Sequence, residues 1–255
     1  MKNLLKSSLP IGLILITACF SCTGAASKSE KGTEMESTTL TRAEADLLTY
    51  ILPSPQTEGE MSVEQALANR RSQRRFLDEE LTTEQLSQIL WAAYGVTRPI
   101  PEREFMRGGL RTAPSAGALY PFDIYVAVGN VIGIEKGLYK YVSEEHKIVR
   151  IMEKDIREEL CAASWGQKML QDAPVSVIYT AIFSRMTGKY GERGRERYVC
   201  MDLGHSAQNI YLQAEALNLG TCAVGAFEDE KLIKLLQLPE EEEPLYIMPV
   251  GYYEK

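Results

Sequence analysis

Between residues 199 and 219, Leu203, Ala207, Ile210, Ala214 and Leu217 recur at helical spacing, which predicts one long helix with a single buried side. Such a helix must bury its apolar side against other elements, and its neighbours in sequence supply them. Pro174 opens an apolar run over 175–183 that reads as a buried strand. Phe122–Val128 alternates aromatic and β-branched residues, and Gly137–Val142 and Lys147–Met152 read as a further strand pair. Strands are also expected over 221–227 and 245–250. Capping boxes at Ser62/Gln65 and Thr82/Gln85 predict two helices, the first reaching about Arg70. The second turns Leu86, Ile89, Leu90 and Ala93 inward and stops at Gly95. Shorter helices are expected over 154–163 and Asp229–Leu236, and Gly220 is expected to cap the long one. Helices and strands do not alternate as βαβ units. The predicted class is therefore α+β, with a mostly antiparallel central sheet flanked by helices and one long core helix.

The chain has 255 residues and a formal net charge of −7. That acidity argues against nucleic acid, whose binding needs a basic footprint. Residues 1–18 have a secretory layout: Lys2 and Lys6 precede an apolar stretch too short to span a bilayer comfortably. Ile16-Thr17-Ala18-Cys19 resembles a bacterial lipobox, which implies an exported protein held on the envelope by acyl chains at Cys19. A plain cleaved signal is the other reading. Residues 19–45 are polar enough to serve as a disordered tether, leaving 46–255 as one domain. Cys161, Cys200 and Cys222 show no zinc spacing, and His146 and His205 lie far apart, so no metal site is expected. The three thiols read as buried apolar groups, with a Cys200–Cys222 disulfide as a second possibility.

Four arginines fall within six residues at Arg70-Arg71-Ser72-Gln73-Arg74-Arg75, followed by Phe76. Arginine suits bidentate recognition of phosphate. If the preceding helix continues, Arg70 and Arg74 share a face. Arginines at a helix C-terminus also complement the macrodipole and are often only solvated. On charge alone, both readings stand.

The run R-R-S-x-R-x-F resembles the opening motif of the nitroreductase-like flavoproteins. Ala113-Pro114-Ser115-Ala116-Gly117-Ala118-Leu119-Tyr120-Pro121 resembles that family's small-residue turn before a strand. Residues 220–227, Gly-Thr-Cys-Ala-Val-Gly-Ala-Phe, resemble its segment beside the flavin ring. The three occur in family order across about residues 62–252. The resemblance implies an FMN-binding homodimer with flavin sites at the subunit interface. Arg70, Arg71, Ser72 and Arg74 would hold the phosphate. Pro114, Ser115, Ala116, Gly117 and Leu119 would approach from the partner subunit, and Gly225 and Ala226 would lie on the ring. Gln167 falls near a ribityl-contacting position. With only Lys255 available after the last strand region, the arginines would carry most of the phosphate charge.

Further residues resemble the SagB-type branch, the azoline dehydrogenases: Gly137-Leu138-Tyr139-Lys140-Tyr141, Lys189-Tyr190-Gly191-Glu192-Arg193 and Asp202-Leu203-Gly204-His205. That likeness implies Lys189 and Tyr190 as the catalytic pair, removing a proton while hydride passes to the flavin. A lysine base must be neutral, and Arg185, Arg193 and Arg195 would favour the neutral amine. The other reading puts Lys189 and Tyr190 on a solvated loop. The expected function is an FMN-dependent oxidoreductase acting on a small organic or peptide-like substrate, with NAD(P)H as a candidate donor. The alternative is an exported binding lipoprotein that keeps the fold without flavin.

Overall fold

The computed structural model of the chain describes residues 47–254. The expected signal, Cys19 and the tether lie outside the described residues, as does Lys255. Nine strands run through the described part in chain order: β1 (Thr49–Ile51), β2 (Val96–Pro99), β3 (Gly109–Arg111), β4 (Phe122–Val128), β5 (Gly137–Val142), β6 (Lys147–Met152), β7 (Val175–Ile182), β8 (Gly220–Thr221) and β9 (Glu242–Gly251). β2 and β3 form a separate hairpin. The other seven make one sheet in the order β1-β6-β5-β4-β7-β9-β8, with every pair antiparallel.

Seven α-helices accompany them: α1 (Val63–Asn69), α2 (Thr83–Tyr94), α3 (Arg157–Ala163), α4 (Met169–Asp172), α5 (Ser184–Tyr190), α6 (Val199–Ala216) and α7 (Asp229–Leu236). Both capping boxes form as expected. The Ser62 and Thr82 hydroxyls each accept from the N3 amide, and Gln65 and Gln85 return the bond.

The pleat sorts the central strands between two cores. Ile124, Val126 and Val128 of β4 join Val177 and Tyr179 of β7 in a core closed by α2 and α6. Tyr125, Ala127 and Ile178 point the other way, into a second core with Leu160 of α3, Leu170 of α4 and Leu232 of α7. With both faces covered, every residue of β4 is buried. Buried hydroxyls tie α6 to its neighbours: Ser206 donates to the Ala93 carbonyl (2.6 Å) and pairs with the Tyr179 hydroxyl (2.8 Å).

The structure differs from expectation at several boundaries. Gly220 does not cap α6 but begins β8, paired with Gly251. The left-handed residue that ends the helix is Asn218 (φ 57°), and the Leu219 amide donates to the Ala214 carbonyl, a Schellman closure. Gly95 does end α2, but in extended conformation. It is needed because a Cβ there would lie 2.3 Å from the Trp91 ring. The strand expected over 221–227 shortens to Gly220–Thr221 plus one bridge, Val224 to Ile247. β1, the β2–β3 hairpin and α5 were not signalled by periodicity. Of the three thiols, Cys161 and Cys222 are buried but Cys200 is exposed, and none is bonded. His205 faces outward on α6. Among the described residues no helix is long and apolar enough to cross a membrane, and no group of three His, Cys, Asp or Glu could hold a metal ion.

Candidate functional site

The arginine segment leaves α1 at Arg70, whose backbone (φ −50°, ψ 131°) turns out of the helix. Arg70 and Arg74 therefore do not share a helical face, contrary to the conditional expectation. The chain is instead captured by the start of β8: Ser72 bridges to Thr221, and the Gln73 amide donates to the Thr221 carbonyl (2.9 Å). Two of the three sequence segments expected at the site are thus side by side. Arg71 folds back on its own helix, donating to the carbonyls of Ala68 (2.9 Å) and Arg70 (2.8 Å). Arg70 is half-buried, with its guanidinium carbon 5.3 Å from the centre of the Tyr211 ring, and Arg74 is exposed. Gly225 and Ala226 are exposed beyond Thr221. Gln167 meets them there, donating to the Ala226 carbonyl (2.9 Å) and to the Ser164 carbonyl (3.0 Å). The Thr221 hydroxyl is buried without a hydrogen-bond partner among the described residues.

The third segment lies elsewhere. Ser115 donates to the Asp202 carboxylate (2.6 Å) and accepts from the Tyr120 amide (3.0 Å), and the Ala116 amide also donates to Asp202 (3.2 Å). Asp202 projects from α6 into this turn. Burial pushes its carboxyl above the ordinary aspartate value, against the bonds from Ser115 and Ala116. Pro114 and Gly117 are exposed, and Leu119 packs on the larger core.

Gly117 has a left-handed backbone (φ 65°). A Cβ there would lie 2.7 Å from the Tyr190 hydroxyl and 2.9 Å from the Lys189 ammonium, so the glycine lets both groups approach the turn. Lys189 and Tyr190 close helix α5 rather than lying on a loop. The Lys189 ammonium sits 5.3 Å from the Tyr190 ring centre, and Tyr190 meets Tyr198 edge-on at 4.9 Å. Tyr198 ends a π-helical turn, Gly194–Tyr198, that leads into α6.

The arginines expected around Lys189 are engaged elsewhere. Arg195 grips Glu243 (2.8 Å) and Arg193 donates to the Tyr198 hydroxyl (3.0 Å). Arg185 of α5 binds Asp123 (2.8 Å), which also receives Lys140 (2.7 Å) and Arg107. Burial works to raise the Asp123 carboxyl, but these three cations outweigh it and hold it well below the usual range.

The residues expected at the site therefore form two groups on α6. One gathers at Tyr211 and the other at Asp202, nine positions apart, or about 13 Å along a helix. Tyr211 and Asp123 were not singled out from the sequence, and Asp202 was noted only as the start of a segment resembling the SagB-type branch, without a role. A signal existed for Asp202: with Ser206 it places two polar residues four apart on the inward side of a helix read as apolar.

A family model described as the nitroreductase family matches residues 67–252. A protein of Methanocaldococcus jannaschii that carries a nitroreductase name is 47% identical over 192 residues, which is 75% of this chain and 91% of that protein. The trifolitoxin-processing protein TfxB of Rhizobium leguminosarum bv. trifolii is 32% identical over 122 residues, 43% of this chain and 30% of its own. The crystal structure of a nitroreductase-named protein from Ralstonia eutropha JMP134 superposes with a TM-score of 0.68 at 30% identity, covering 81% of this chain and 90% of that one.

Proposed function

From the premise that this chain belongs to the nitroreductase family, we propose that it is an FMN-dependent oxidoreductase acting on a small organic or peptide-like substrate. The observation that carries this reading is the pairing of Ser72 in the arginine segment with Thr221, at the start of the segment that runs on to the exposed Gly225 and Ala226. It combines a cation and a hydroxyl with exposed small residues, a donor set suited to a phosphate next to a flat ring. Arg70, Ser72 and Arg74 would hold the phosphate. Arg71 would add charge while closing α1. Gln167 fixes the backbone of Ala226, which would help to hold the flavin.

FMN, when bound, supplies the two-electron chemistry. The chain's own part is to orient substrate and to handle the proton. Lys189 Nζ and the Tyr190 hydroxyl, held against the Gly117 turn, are the groups that take a proton from substrate in the oxidising direction or return it in the reducing one. The local likeness to a trifolitoxin-processing protein supports the dehydrogenase reading of this pair. In the reducing direction NAD(P)H is the donor.

The separation of the two groups along α6 supports a homodimer in which the turn at Ser115–Gly117 faces the partner's arginine segment. Export, with acyl anchoring at Cys19, completes the proposal. Radiolabelled palmitate carried by the wild type and absent from Cys19→Ala tests that part.

A visible spectrum of the purified domain tests the whole. Bound oxidised flavin gives a yellow protein, whereas a colourless chain that also refuses added FMN sinks the reading. Arg74→Glu should abolish uptake while leaving the melting temperature unchanged.

A further inference from the structure

We propose that Tyr211 is a positioning residue for the phosphate arm of the site: its hydroxyl and ring hold Ser72, Arg70 and the Ala223 amide in one arrangement. The inference rests on the FMN reading and goes beyond it by assigning a residue that lies outside every segment expected from the sequence to bind flavin. Tyr211 lies on α6, half-buried. Its hydroxyl accepts from the Ala223 amide (2.9 Å) and lies 3.1 Å from the Ser72 hydroxyl. Its ring lies under the Arg70 guanidinium, 5.3 Å from the centre. Three groups from two distant parts of the chain thus converge on one side chain.

Proton bookkeeping gives the contact a direction. The Tyr211 oxygen is already an acceptor for Ala223 N–H, and its own proton has the Ser72 oxygen as its acceptor within reach. Ser72 then accepts from Tyr211 and keeps its own O–H proton to donate outward. An anion needs donors, and this arrangement makes Ser72 one. The ring does the equivalent for Arg70. It holds the guanidinium over its face at 5.3 Å without using an N–H, which leaves those donors for a ligand. The carbonyl-to-amide link between Thr221 and Gln73 fixes the backbone on the other side of Ser72, so the hydroxyl has little freedom once Tyr211 is in place.

The test compares two flavins that share ring and ribityl chain and differ in the phosphate. Equilibrium quenching of flavin fluorescence is measured for FMN and for riboflavin, with wild type, Tyr211→Phe, Ser72→Ala and the double variant. Tyr211→Phe keeps the ring under Arg70 and removes only the hydroxyl. It should weaken FMN about tenfold, the effect of one hydrogen bond of typical strength, and leave riboflavin affinity unchanged. Ser72→Ala should do the same, and the double variant should bind FMN about as well as either single one, since both break the shared Tyr211–Ser72 link. Equal FMN affinity for wild type and Tyr211→Phe overturns the inference. So does an equal loss for both flavins, which would mark Tyr211 as a general support of the fold, or strict additivity of the two substitutions. Wild type that binds neither flavin overturns the cofactor reading itself, a result distinct from these. Ser72→Ala also covers the case in which Tyr211→Phe is poorly folded: an unchanged FMN-to-riboflavin ratio in Ser72→Ala counts against the inference.

Discussion

The Lys189 ammonium lies 2.9 Å, and the Tyr190 hydroxyl 2.7 Å, from the point where Gly117 would carry a Cβ. A Cβ at 117 would therefore have to push both side-chain ends away from the turn. Gly117→Ala adds the missing atom and forces a residue with a side chain into a left-handed conformation at φ 65°. We expect a stability loss of about 1 kcal/mol from the backbone. Displacing the pair should lower kcat by about a hundredfold. Steady-state turnover beside a melting curve checks this, and an unchanged kcat would detach Lys189 and Tyr190 from the chemistry.

Asp123 holds Arg107, Lys140 and Arg185 together, and through Arg185 it fixes the helix that ends in Lys189 and Tyr190. Its side chain is 4% exposed, while those of the cations are 24–33% exposed. Asp123→Asn leaves three cations facing one another. The cost should be about 3 kcal/mol, at the low end for a broken buried pair because the cations keep contact with water. Since the folded-state value lies below the ordinary 3.8, wild-type stability from this group is present above 3.8 and lost as pH falls through the lower value. Denaturant midpoints at neutral and acid pH measure both effects, and equal midpoints for wild type and variant at neutral pH would remove Asp123 as an anchor.

His146 sits between β1 and α2. Its Nε2 lies 2.7 Å from the Ser87 hydroxyl and 3.0 Å from the Pro53 carbonyl, and its Nδ1 lies 2.8 Å from the Tyr141 hydroxyl. Burial pushes the imidazole below 6.5, against the bond to Pro53. The folded chain thus holds fewer protons than the unfolded one, so its contribution is full above 6.5 and declines as pH falls toward the lower value. The Leu52 amide donates to the His146 carbonyl, so protection of Leu52 relative to its intrinsic exchange rate should fall as pH drops over that range. In His146→Gln the pH dependence should flatten. A wild type whose Leu52 exchange follows only the intrinsic chemical rate would contradict this.

Asp202 has the opposite sign. Burial raises its carboxyl, so the folded chain keeps a proton that the unfolded one has lost, and stability falls as pH rises from 3.8 through the raised value. Asp202→Asn has no charge to desolvate and should flatten this limb. Near neutrality it should cost about 1 kcal/mol for the acceptor it no longer offers to Ser115 or Ala116. Urea titrations on both sides of 3.8 separate the two, and parallel limbs would show that Asp202 is not the titrating group.

Much of the sheet was legible because burial on both faces leaves a strong local record. The limits of β4, β5 and β6 are those expected, β4 from its alternation, and the capping boxes located α1 and α2 to within a residue. What escaped depends on partners distant in sequence. β1 is three residues long and exists because Thr49–Ile51 pairs with Lys147–Val149. Helix α5 carries Ser184, Thr187 and Gly188 and little apolar periodicity, and Arg185 bound to Asp123 helps to hold it. Thr221 was expected within a longer strand, but its chain is taken over by Ser72 and Gln73. The arginines around Lys189 were read as free charges because a sequence does not show Asp123 and Glu243 facing them. Tyr211 lay outside the apolar side read for the long helix, and only the fold shows its hydroxyl meeting Ser72.

The spacing of Asp202 and Tyr211 along α6 carries a consequence for mixed assemblies. In the proposed dimer each flavin site draws its arginine segment from one chain and its glycine turn from the other. A chain carrying Arg74→Glu and a chain disabled at Gly117 would each be all but inactive alone. Unfolded and refolded together, they form some dimers in which both lesions fall on the same site and the second site is intact. Two nearly inactive proteins would then complement each other and regain activity, which no site contained within one subunit could do.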